Sequence, residues 1–104
     1  MSVYMIIEIR VMNEPLYARY VGRVHEVVTR HGGKYLVRGG NVTPVSGDWN
    51  PERLILIEFE SLERLQACFK SPEYLELAPM RQQSTISRAI IAEGYVPDSA
   101  APAR

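Results

Sequence analysis

Arg53-Leu54-Ile55-Leu56-Ile57-Glu58-Phe59-Glu60 is the stretch that decides the fold. It is too short for a typical helix and rich in apolar and β-branched residues, with charges only at its start and towards its end, which is how a strand reads. Side chains alternate along a strand, so Ile55, Ile57 and Phe59 share one face and Leu54, Leu56 and Glu58 the other. The first face is plain core. The second is apolar enough to need cover and charged enough to refuse a dry interior.

Three more segments repeat the pattern: Val3–Val11, Lys34–Arg38 and Ser84–Glu93. Their core-type positions are Ile7, Ile9 and Val11, then Val37, then Ala89 and Ile91. Their other face carries Tyr4, Ile6, Glu8 and Arg10, then Leu36 and Arg38, then Ile86, Arg88 and Ile90. Between the first two strands, Asn13-Glu14-Pro15 is a helix start, and Tyr17, Tyr20, Val21, Val24, Val27 and Val28 form one apolar stripe ending at Gly32-Gly33. After the third strand, Ser61 caps a helix over Leu62–Lys70, and Ser71-Pro72 restarts one that Pro79 is expected to kink or end. Gly39-Gly40-Asn41 breaks the chain. Val42–Val45 could add a brief edge strand, although Pro44 opposes a central one.

The order strand–helix–strand–strand–helix–strand is the ferredoxin-like βαββαβ arrangement, an α+β fold with its helices on one face of an antiparallel sheet. Residues 1–95 are expected to form one domain, and Val96–Arg104, rich in Pro and Ala, a disordered tail. Nothing in the chain is left to cover the second sheet face. Two such faces packed together would give a homodimer with a barrel-like interior.

Gly32-Gly33-Lys34-Tyr35-Leu36-Val37-Arg38-Gly39-Gly40, Gly47-Asp48-Trp49 with Pro51 and Arg53, Ile57-Glu58-Phe59 with Ser61, and Ser71-Pro72-Glu73-Tyr74 followed by Arg81 together resemble the domain-of-unknown-function 1330 family. The likeness spans about residues 3–95 and implies a ferredoxin-like protomer of the dimeric α+β barrel superfamily. That superfamily includes cofactor-independent monooxygenases, haem-degrading enzymes, muconolactone isomerase-like enzymes and ligand-binding regulators. A shared fold does not transfer a reaction.

Twelve acidic and twelve basic residues balance in 104, so no global field favours nucleic acid, and the aromatic RNA-binding motif of ferredoxin-like RNA binders is absent. No apolar run reaches membrane-spanning length and no secretory signal is visible, and the single Cys68 suits a reducing compartment, so the expectation is a cytoplasmic protein. Cys68 itself reads as a buried structural thiol. His25 and His31 have no partners at metal-ligand spacing, Gly39-Gly40 lacks the phosphate-loop pattern, and no cofactor is expected.

The candidate chemistry therefore lies on the mixed sheet face. Arg38 and Glu58 are expected to be neighbours there, either as a structural ion pair or as an anion-orienting arginine with Glu58 fixing it or acting as general base. Arg10, Arg38 and Arg88 set against Glu8 and Glu58 leave one positive charge for a small organic anion. Tyr74 and Arg81 are placed at the rim, Tyr74 as a ligand donor or as seam packing, and Trp49 at the dimer interface or over the barrel mouth. The functional expectation is a homodimeric binding domain for a small, anionic molecule or a cofactor-independent isomerase or monooxygenase-like enzyme. The alternative is a non-catalytic dimerisation module whose charged sheet face is structural.

Overall fold

β1 (Val3–Val11) runs antiparallel between β3 (Arg53–Phe59) and β4 (Thr85–Glu93), and β2 (Lys34–Arg38) closes the other edge, giving the sheet order β2-β3-β1-β4. The helices are α1 (Glu14–Arg30), α2 (Leu62–Phe69) and α3 (Pro72–Ser84). This is the ferredoxin-like α+β fold expected from the element order. A computed structural model of the chain describes residues 1–97, so most of the expected C-terminal tail, residues 98–104, lies outside the described residues.

The core sits between the helices and one sheet face. The α1 stripe of Tyr17, Tyr20, Val24, Val27 and Val28 meets Ile9, Ile55, Ile57 and Phe59 of the sheet, all of them buried. Asn13 starts α1 by accepting a hydrogen bond from the Leu16 amide at 3.2 Å. After the helix, Gly33 leaves no room for a side chain, because a Cβ there would lie 2.5 Å from Val28 and 2.8 Å from Phe59. Ala89 and Ile91 were expected in this core but are exposed, Ile91 at 45 %, because β4 is an edge strand beyond the helical cover.

Two local expectations change. Pro79 neither ends α3 nor stops it before Arg81, since the helix continues to Ser84. Pro79 is exposed, and so is Leu75, whose carbonyl loses its amide partner, so water can satisfy that group. Val42–Val45 forms no strand; the whole Gly40–Glu52 connection is irregular.

Candidate functional site

Strand β2 does not keep a simple alternation. Tyr35 pairs with Ile57 and Arg38 with Ile55, but Val37 pairs with Leu56, so the register shifts between Tyr35 and Val37. Such bulges are common at sheet edges, and this one moves every later side chain to the opposite face. Arg38 therefore lies on the helix side, and Val37 on the open side. The expected Arg38–Glu58 neighbourhood does not form. Arg38 Nη2 donates to the Val21 carbonyl of α1 at 3.3 Å, and its guanidinium carbon is 5.0 Å from the centre of the Tyr35 ring.

Arg53 enters the same region from β3, beside Ile9 on the helix side. Its guanidinium carbon is 5.5 Å from the Tyr17 ring centre, and its Nε is buried with no hydrogen-bond partner. Gly39, at φ 73°, turns the chain away here, and a Cβ at that position would run into the Arg53 guanidinium. Among the described residues neither arginine takes part in an ion pair. Both cations rest on tyrosine faces, an arrangement worth about 0.5–2 kcal/mol each.

These side chains border a pocket of about 40 Å³ between α1 and the sheet, lined by Tyr17, Tyr20, Tyr35, Arg38 and Arg53 over an apolar floor. Burial pushes the Tyr35 hydroxyl up to about 12 and raises that of Tyr20 further, so both are proton donors at neutral pH. Tyr17 and Arg53 also line a larger cleft of about 670 Å³, closed on its far side by Gly39, Asn41, Asn50 and Glu52 of the β2–β3 connection. Arg53 was not singled out from the sequence. Its signal was available: counting back from Ile55 by two places an arginine on the core face of its strand.

The open sheet face holds its charges differently. Glu8 accepts hydrogen bonds from Trp49 Nε1 at 3.0 Å and Arg88 Nε at 2.9 Å, which together hold its pKa below the usual carboxylate value. Glu58 accepts from the Tyr4 hydroxyl at 3.2 Å, and its charge raises the Tyr4 pKa. Glu8 and Arg88 thus meet as a pair, with Trp49 laid across them over a hollow of about 260 Å³ edged by Ile6, Leu54 and Ile90. Ile86 and Ile90 on this face are more than 60 % exposed.

The remaining expected residues lie in the helix layer. Tyr74 is buried at the α1–α3 seam, its hydroxyl 3.0 Å from that of Tyr20 and its ring edge-on to Phe69 at 4.8 Å. Arg81 donates to Ser87 Oγ at 3.0 Å, while its Nε is buried and unpartnered. Cys68 is buried, and burial pushes its thiol up to about 11, out of the reactive range. His25 is exposed and stacks on Tyr35 at 5.3 Å. Among the described residues no three His, Cys, Asp or Glu side chains gather as a metal site, and no helix is long and apolar enough to cross a membrane.

Known proteins share this architecture. The chain superposes on a protein of unknown function from Rhodopseudomonas palustris with a TM-score of 0.76 and 21 % identity, over 92 % of this chain and 84 % of that one. It is similar to SnoaB, a cofactor-independent oxygenase from Streptomyces nogalater (TM-score 0.59, 12 % identity, 93 % and 98 % covered). A putative antibiotic biosynthesis monooxygenase from Nitrosomonas europaea gives a TM-score of 0.61 at 14 % identity, with 94 % of both chains covered. At these identities the likeness is one of fold. No curated protein matches the chain. The family model for the domain of unknown function DUF1330 matches residues 2–95, and the chain belongs to that family.

Proposed function

We propose that this protein binds a small organic anion in the pocket beneath α1, with Arg53 and Arg38 receiving the charge and the body of the ligand in the adjoining cleft. The observation that supports it is Arg53: a half-buried guanidinium with an orphaned Nε, at the junction of pocket and cleft, and in no ion pair among the described residues. A buried donor left unpaired costs about 1–3 kcal/mol, and an anionic ligand would recover that cost. Tyr20 and Tyr35, held protonated, add donors for an oxyanion. If the ligand is turned over, the same groups suit cofactor-free isomerisation or oxygenation of an activated anion. The name of the Streptomyces nogalater relative fits that class.

The open sheet face then has a second role, as the contact between two copies of this chain. Its exposed Ile86, Ile90 and Trp49 surround acids whose partners are already in place, so the charges Glu8, Arg88 and Glu58 are structural and not a ligand site. This proposal removes Glu58 from the role of base, and it places the protein in the cytoplasm, where its buried thiol stays reduced.

A thermal-shift series with aliphatic and aromatic carboxylates, phenols and lactones tests the anion site. A ligand at about a hundred times its Kd adds roughly 2.7 kcal/mol to stability. Wild type should respond to one of the anions, and Arg53→Met should not. A response retained in Arg53→Met and Arg38→Met would reject the site.

A further inference from the structure

The two cavities differ sharply in charge and in size. Among the described residues the pocket beneath α1 is bordered by Arg38 and Arg53 and by no carboxylate. The cleft outside it is bordered by one cation, Arg53, and by two acids, Glu14 and Glu52. Among the described residues only Tyr17 and Arg53 line both, and they stack on each other, so they form the partition between them. The carboxylate of Glu52 is held at the cleft wall by the Val11 amide, which donates to it at 2.8 Å. Glu14 projects from the first turn of α1. Among the described residues neither acid is in an ion pair. The pocket, at about 40 Å³, is far smaller than the cleft and suits a few waters or a small head group.

We propose that the site selects singly charged carboxylates over dianions: one anionic group passes the Tyr17–Arg53 partition, and Glu14 and Glu52 repel a second one left in the cleft. The inference rests on the anion-site reading above, and it adds the substrate class. A molecule with one carboxylate has its charge matched inside and leaves only an uncharged body beside Glu14 and Glu52. A diacid of the same length must hold its second carboxylate beside two others.

Calorimetric titration of the whole protein with matched acids tests this, using hexanoate against adipate and phenylacetate against phenylenediacetate in low-salt buffer. The monoacid of each pair should bind about fivefold or more tightly, as expected for two partly screened charges, and the gap should shrink at high salt. In Glu14→Gln with Glu52→Gln it should fall to about twofold. Glutamine at 52 keeps an oxygen for the Val11 amide, and Glu14→Gln alone serves if the double variant is unstable. Diacids binding as well as monoacids to wild type would overturn the selectivity while leaving the anion site standing. A gap unchanged in the variants would do the same. Absence of binding by either monoacid, with Arg53→Met indistinguishable from wild type, would overturn the anion site itself.

Discussion

Arg53 lays its guanidinium over the ring of Tyr17, 5.5 Å from its centre, and keeps a buried Nε that nothing in the described chain accepts from. An orphaned buried donor costs free energy in the unliganded chain. Arg53→Met should therefore leave stability within about 1 kcal/mol of wild type or raise it, because the lost cation–π contact and the removed orphan oppose each other. Arg53→Lys keeps the charge but loses the flat fork, and should bind anions more weakly than wild type while folding normally. Denaturant unfolding and ligand titration on the three proteins read both quantities. A Met variant that loses several kcal/mol would make Arg53 a structural residue.

Gly39 and Gly47 separate backbone strain from loss of the site. Both have positive φ, 73° and 74°, so alanine at either should cost about 1–2 kcal/mol. Only at Gly39 would the new methyl meet the Arg53 guanidinium; around Gly47 the space is open. Gly39→Ala should weaken anion binding beyond its effect on stability, and Gly47→Ala should leave affinity unchanged. Equal affinity in the two variants would disconnect Gly39 from the site.

The fold was legible in the sequence because alternation and helical spacing act over many residues, and local errors cancel. The strand Arg53–Phe59, the capped start of α1 at Asn13 and the Gly33 stop follow from patterns several residues long. The site depended on a single register. One bulge between Tyr35 and Val37 carried Arg38 from the open face to the helix face, and no feature of Lys34–Arg38 announces it. Glu8 and Arg88 are cross-strand partners in register, and alternation placed them on one face. Their tie to Trp49 was beyond reach, because it depends on the path of an irregular connection.

Tyr20 and Tyr35 make alkaline stability a test of the pocket. Burial raises both hydroxyl pKa values in the folded chain, Tyr35 to about 12, whereas the unfolded chain ionises near 10. The folded state then holds more protons than the unfolded one above pH 10. Stability should be unaffected by these groups below that pH and fall as pH rises from about 10 to 12. Spectrophotometric titration should show late-ionising tyrosines in wild type, and Tyr35→Phe should flatten the stability loss. A profile unchanged in Tyr35→Phe would mean that its hydroxyl is reached by solvent.

Tyr20 and Tyr74 also hold α1 to α3 through hydroxyls 3.0 Å apart. Tyr74→Phe removes one partner and should cost about 1 kcal/mol in denaturant unfolding, with anion affinity nearly unchanged because Tyr74 does not border the pocket. A large loss of affinity would return Tyr74 to the ligand site, where the sequence first placed it.

Trp49 is the only tryptophan and lies on the face proposed to join two copies of the chain, 53 % exposed in a single copy. If two open faces meet, Trp49 loses water, and its fluorescence should shift to longer wavelength as the protein is diluted. Specific interfaces of ordinary size persist at about tens of micromolar, so light scattering there should give a dimer. Ile86→Asp with Ile90→Asp places like charges in that contact and should give a folded monomer whose Trp49 emission no longer depends on concentration. The Ile86 and Ile90 side chains are solvent-exposed in one copy, so this change should leave the protomer's helix and strand content intact. A wild-type monomer at that concentration, with dilution-independent emission, would leave the apolar face unpaired and end the dimer proposal. The anion pocket lies on the opposite side of the sheet, and its titrations would stand or fall independently.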